Sequence, residues 1–158
     1  MRSVVLFVVL LAGCGKQIGD ACIVSSDCDP NGLRLCDTAQ KEGYCTIMGC
    51  DYDTCPTEAA CIRFFTGQFD NQTCDPTQPN GANGCSLDQL CDLEGHCAPR
   101  SSELRYCMKK CSSNSDCRDG YECRDLTLMM EHGGEPVLAP GVPVDEHSPK
   151  FCAAKPAS

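Results

Sequence analysis

Cysteine constrains this chain more than any other residue: seventeen occur in 158 residues. Such a chain organises itself around covalent links rather than around a large apolar core. Tryptophan is absent, and Phe and Tyr number only five and four. Units of roughly 50–70 residues with so few large side chains bury too little surface to fold unaided. A bridge closing a short loop adds about 3 kcal/mol, in the chain-entropy view by restricting the unfolded state. The rival use of many cysteines is a zinc cluster, which favours Cys-x-x-Cys pairs. No Cys-x-x-Cys occurs anywhere in this sequence.

The amino terminus sets Cys14 apart from the others. Met1-Arg2-Ser3 leads into the apolar run Val4 to Leu11, which closes on Leu11-Ala12-Gly13-Cys14. That run is about half of the ~20 residues needed to span a bilayer as a helix. One basic residue before it and small residues after it form a secretory pattern. Leu11-Ala12-Gly13-Cys14 resembles the lipobox of bacterial lipoproteins. The resemblance implies a signal peptide at 1–13, lipidation (diacylglyceryl and acyl chains such as palmitate) at Cys14, a lipidated tether at 14–20, and membrane attachment through that anchor. In enteric bacteria an Asp after the acylated cysteine resembles an inner-membrane retention signal. Gly15 does not, so the resemblance implies the outer membrane, with the domains facing periplasm or medium. Setting Cys14 aside leaves sixteen cysteines, the even number that complete pairing requires. An oxidising compartment outside the cytosol suits such density.

The spacing of the sixteen repeats. Read as quartets they are Cys22, Cys28, Cys36, Cys45; Cys50, Cys55, Cys61, Cys74; Cys85, Cys91, Cys97, Cys107; and Cys111, Cys117, Cys123, Cys152. Each shows three cysteines at short spacing and a fourth at variable distance, as expected of one small unit copied. The stretch 75–84 (DPTQPNGANG) has the Pro, Gly and Asn content of a linker. The division this predicts is two eight-cysteine domains, 21–74 and 85–158, joined by that linker. Eight cysteines allow 105 pairings; pairing is expected to stay within each domain.

The expected fold class is a small disulfide-rich protein with little regular secondary structure, short β-hairpins and one short helix. Strands are expected at 62–65 and 126–129, with Thr66-Gly67-Gln68 turning the first back on itself. The helix is expected over 102–110, with Ser102 at its start and Lys109 and Lys110 at its end. The segment 131–150 carries four prolines and three glycines and is expected to be a long mobile loop.

Catalytic constellations find little support. The three histidines, His96, His132 and His147, lie in turn-like or Pro-rich segments, and a triad needs a rigid pocket. Glu58, Asp70 and Asp88 have no spacing that singles them out from solvated carboxylates. Glu131-His132 and Glu146-His147 bracket the long loop and have the donor types of a divalent-metal site, but exposed polar residues explain them better. Asp51-Tyr52-Asp53 lacks the later Gly and Glu of a calcium loop. No catalytic residue, metal or cofactor is therefore expected. Two patches are candidates for contact: Phe64, Phe65 and Phe69, which a core role explains better, and the basic run Arg100, Arg105, Lys109 and Lys110, which a solvated helix face explains equally well. The net charge of −9 disfavours nucleic acid as a partner.

Strings such as Gly43-Tyr44-Cys45-Thr46, Cys55-Pro56, Ala59-Ala60-Cys61 and Cys111-Ser112-Ser113-Asn114-Ser115-Asp116-Cys117 resemble the cysteine-rich repeats of myxobacterial lipoproteins. They are more distantly similar to the cysteine-rich modules of animal Dickkopf proteins. Taken together, the sequence features lead to the expectation of a non-enzymatic, disulfide-stapled interaction module at the outer membrane with a possible protein partner. A protease inhibitor or antagonist presenting a constrained loop such as 131–150 is the alternative.

Overall fold

A computed structural model describes residues 15–78 and 81–156. The leader at 1–13 and Cys14 lie outside the described residues. Eight disulfides join all sixteen remaining cysteines: 22–36, 28–45, 50–61, 55–107, 74–91, 85–97, 111–123 and 117–152.

One unit is built four times. It begins with a loop holding two cysteines and ends on an antiparallel pair of strands. Each strand contributes one cysteine, and the two lie directly opposite each other. In the first unit, α1 (Ser25–Cys28) precedes β1 (Leu35–Asp37) and β2 (Tyr44–Thr46), and Cys36 faces Cys45. In the second, β3 (Ala59–Phe65) sets Cys61 opposite Cys107. In the third, β4 (Gln89–Cys91) and β5 (Cys97–Pro99) set Cys91 opposite Cys97. The partner strand of β3 is β6 (Glu103–Lys109). In the fourth, β7 (Tyr121–Arg124) pairs with a strand near the carboxyl terminus, Cys123 facing Cys152. The first and third cysteines of each unit are joined, as are the second and fourth. Three sulfurs of each unit lie within 4.8 Å of one another, so its two bridges rest side by side.

In the first, second and fourth units the loop between the first two cysteines is held by the residue before the second. Asp27 accepts from the Ile23 and Val24 N–H groups at 2.8 and 3.2 Å, and Asp116 accepts from Ser112 and Ser113 at 2.7 and 3.0 Å. The Thr54 hydroxyl accepts from the Asp51 N–H at 2.8 Å. Each side chain thus satisfies backbone donors that the tight loop would otherwise leave unpaired. In the first unit Gly43 is obligatory. Its φ is +66°, and a Cβ there would lie 2.0 Å from the Cys22 carbonyl oxygen and 2.9 Å from the Cys36 sulfur.

The boundary predicted at 75–84 is not a boundary. Cys74 is bridged to Cys91 across it, and Cys55 to Cys107 links the two expected domains. The third unit is inserted between β3 and β6 of the second, so Cys74 and Cys107 exchange the quartets that spacing assigned them. The longest ladder, seven residue pairs from Ala59↔Lys109 to Phe65↔Glu103, joins the two expected halves. One core runs through both: Ile18, Tyr44, Ile62, Met108, Tyr121, Met129 and Phe151 belong to a single buried cluster.

Three local expectations change with this topology. Residues 103–109 form a strand because Leu104, Tyr106 and Met108 alternate with Glu103, Arg105 and Cys107, a period of two that suits a sheet. Thr66 does not turn β3 back; its N–H donates to the Ser102 carbonyl at 2.9 Å, beside the distant partner strand. Residues 126–132 form α2 (Leu126–His132) instead of a strand. Leu and Met favour helix, Asp125 caps the start by accepting from the Leu128 N–H at 3.2 Å, and Gly133 ends it.

The segment 131–150 is pinned at both ends. It begins within α2. Next, β8 (Glu135–Pro136) adds to the free side of β3, and the Val137 N–H donates to the Cys61 carbonyl at 2.8 Å. At its far end it enters β9 (Phe151–Ala154), the partner of β7.

Two buried side chains tie the elements together, Tyr44 between units and Arg124 within the fourth. Tyr44 accepts from the Lys109 N–H at 2.9 Å, donates to the Cys152 carbonyl at 3.1 Å and stacks on Tyr121 with ring centroids 5.5 Å apart. Arg124, 6% exposed, donates to the carbonyls of His132, Gly133 and Ala154 at 2.7, 2.8 and 2.9 Å, and to Glu122 at 3.0 Å. The last carbonyls of α2, which have no partner within the helix, are thereby tied to β7 and β9.

Candidate functional site

The central sheet runs β6-β3-β8. Ile62 and Phe64 turn one of its faces to the core, and Arg63 and Arg105 sit opposite each other on the other. Glu135 extends that row, since Arg63 pairs with it in register. Where the third unit comes down against this sheet a cleft of about 410 Å³ opens. Its walls are the loop after β3 (Phe65, Gly67, Gln68, Phe69 and Asp70), the β4–β5 turn (Asp92, Leu93, Glu94 and His96) and the segment around the end of α2 (Met129, Gly133, Gly134 and Glu135).

Four carboxyl-bearing residues, one imidazole and two phenyl rings line the cleft. The His96 ring nitrogen is 4.0 Å from both the Asp92 and Glu94 carboxylates. The Arg63 guanidinium lies 5.7 Å from the centre of the Phe65 ring. Glu135 is 3% exposed; its Oε1 accepts from Arg63 Nε at 2.6 Å, and its Oε2 has no hydrogen-bond partner. Burial pushes the Glu135 carboxyl above its ordinary 4.5, Arg63 opposes the rise, and Asp92 and Glu103 add to it.

These shifts predict a stability profile with two limbs. A carboxyl whose pKa is raised on folding contributes stability below its unfolded value, and that contribution is lost as pH rises through the raised one. Asp27 and Asp116 behave oppositely. Backbone N–H donors hold their carboxyls below the ordinary 3.8, so their contribution is present above that value and lost as pH falls through the lowered one. The guanidinium midpoint of Glu135→Gln, followed by circular dichroism, should gain less than the parent on acidification from pH 7 toward 4.5. Asp116→Asn should lose less than the parent below 3.8. A parent and Glu135→Gln with parallel profiles would contradict the assignment.

The other candidate residues are scattered. Glu58 pairs with Arg34 at 3.7 Å, Asp88 accepts from the Ser86 hydroxyl at 2.7 Å, and Asp70 lines the cleft. His132 Nδ1 lies 2.7 Å from Glu122, whereas His147 is an exposed side chain 3.8 Å from Asp145. Glu131, His132, Glu146 and His147 do not converge on a common point. Asp51 accepts from Arg105 at 2.8 Å, and Asp53 has a positive φ of 57°. The three phenylalanines divide. Phe64 packs edge-on to Phe151 at 6.1 Å, while Phe65 and Phe69 reach the cleft. The basic run is dispersed along the chain: Arg100 donates to the Leu87 carbonyl at 3.0 Å, Arg105 also pairs with Glu103 at 2.7 Å, and Lys110 donates to the Thr57 carbonyl at 3.2 Å. Phe65, Phe69 and Asp70 are legible in the sequence as candidates but Glu135 is not, because only the insertion of the third unit brings Asp92, His96 and Glu135 to the same place.

The fold therefore defines a small disulfide-rich protein made of four copies of one two-bridge hairpin unit. No family model matches the sequence, and neither a curated protein nor a solved structure shows significant similarity to it.

Proposed function

We propose that this chain is a lipid-anchored, non-enzymatic interaction module of the myxobacterial cysteine-rich lipoprotein type. Lipid on Cys14 holds it at the bacterial outer membrane or cell surface, and it needs no cofactor. The observation that carries the reading is the pairing of all sixteen other cysteines, which leaves only Cys14 for acylation and makes the body rigid. A rigid body loses little conformational freedom on binding. The acidic cleft is the surface best built for contact, since aromatic rings beside carboxylates suit a basic side chain of a protein partner.

A second reading, an inhibitor or antagonist, draws support from the pinned segment 131–150. Between its anchors the chain turns at Ala139–Val142, the Val142 N–H donating to the Ala139 carbonyl at 3.0 Å, and Val142 is 55% exposed. A projecting turn held at both ends is the form a constrained binding loop takes.

The test is intact mass and thiol counting on protein from a lipoprotein-processing bacterial host, followed by hydrolase-substrate and protease panels. The expected result is lipid-sized added mass on the peptide beginning at Cys14, no alkylatable thiol without reductant, and no turnover. Turnover lost on changing His96 would replace this reading with an enzyme. Suppression of a protease, abolished by cutting within 139–142, would select the inhibitor.

A further inference from the structure

We infer that the first unit rests on the membrane that holds Cys14, placing Ile23, Val24 and Leu33 among the lipid headgroups. The inference depends on the anchor proposed above and adds the face that meets the lipid. Ile23 is 82% exposed, Leu33 74% and Val24 52%. All three lie between Cys22 and Cys36, in a unit whose two bridges leave it no freedom to fold them inward. Among the described residues, three of the nine exposed large apolar side chains lie on this one small unit, and such a group marks a contact surface.

The path of the tether says which surface covers them. Residues 15–20, expected to be a short tether between the lipid and the first domain, are packed against the body. Ile18 is fully buried, and the Gly19 N–H donates to the Cys45 carbonyl at 2.9 Å. Lys16 Nζ donates to the Ala21 carbonyl at 2.6 Å, and Arg34 donates to the Lys16 carbonyl. Gly15 lines a shallow depression together with Pro30, Leu33 and Pro56. One peptide bond, about 3.8 Å between Cα atoms, separates Gly15 from Cys14. A lipid on Cys14 therefore begins one residue from the depression that Gly15 and Leu33 line, and a short packed tether cannot swing the unit away. Charges of both signs surround the patch: Lys16 and Arg34 on one hand, Asp27 and Asp29 on the other. Seating is therefore apolar, and salt should not change it.

The absence of tryptophan makes the test direct. Leu33→Trp gives the full-length, lipidated protein a single indole, and Leu87→Trp places one at a 91% exposed position on the third unit as control. Each variant is reconstituted into phosphatidylcholine vesicles whose acyl chains carry bromine close to the headgroups. The expected result is a blue-shifted, strongly quenched indole in L33W and an unshifted, unquenched one in L87W, unchanged between low and high salt. If the mass spectrum shows lipid on Cys14 and L33W is unquenched, or both variants are quenched alike, the seating is wrong while the anchor stands. If Cys14 carries no lipid, the anchor fails and the seating fails with it.

Discussion

Replacing Cys55 and Cys107 together by alanine should lower the unfolding free energy by about 4 kcal/mol, the largest loss expected from any one bridge. Their separation of 52 residues is the longest of the eight, against 11 for Cys50–Cys61. Loop-closure entropy grows only with the logarithm of length, so the shorter bridge should cost about 3 kcal/mol when removed. The bridges inside the third unit shorten the effective loop closed by Cys55–Cys107, yet the logarithm keeps the estimate near the same value. Position matters as well as length. Cys107 is fully buried, and its backbone N–H and carbonyl bind Ile47 and Thr46 at 2.9 and 2.8 Å. Guanidinium titration of the two double variants gives the comparison. A Cys55/Cys107 variant as stable as the parent would mean that these residues are not partners. Digestion without reductant checks this independently, and should yield Cys55 linked to Cys107 and Cys74 linked to Cys91.

Arg124→Ala should cost roughly 3–5 kcal/mol, the range for removing one partner of a buried ion pair. The loss has two parts. Glu122, 7% exposed, keeps a charge whose nearest guanidinium has gone. The carbonyls of His132, Gly133 and Ala154 lose a donor in a place where water has little access. Because those carbonyls belong to the end of α2 and to β9, amide exchange should quicken most at 126–133 and 151–154 and change little in β1 and β2. Uniformly faster exchange would mean that Arg124 does not hold α2 locally. Arg124→Lys should recover only part of the loss, since one ammonium cannot serve three divergent carbonyls and a carboxylate in the guanidinium's geometry.

Sequence made the material of this fold plain but not its nesting. The absence of Cys-x-x-Cys, the even count beside Cys14 and the recurrent short gaps all point to a scaffold of bridges, and the first and fourth quartets have the membership that spacing gives them. Spacing cannot separate a long gap within a unit from an inserted unit, so it exchanges Cys74 and Cys107 and suggests a cut at 75–84. Local signals were outvoted at 103–109, where a good capping pattern yields to the ladder that β3 offers. At 125–133 the local signals agree with the structure: Asp125 and Gly133 delimit a helix around Leu and Met residues that propensity already favours. The cleft was hardest to see, because Glu135 and Asp92 are 43 residues apart in sequence and meet only through the nesting.

The alternate linkage within every unit bears on how the chain matures. None of the eight native bonds joins neighbouring cysteines. An oxidase acting on thiols in order of their emergence from a translocon would couple Cys22 with Cys28 first and be wrong at every step. On the export route proposed above, maturation is expected to call for a thiol–disulfide isomerase, and oxidation without reshuffling should accumulate scrambled isomers.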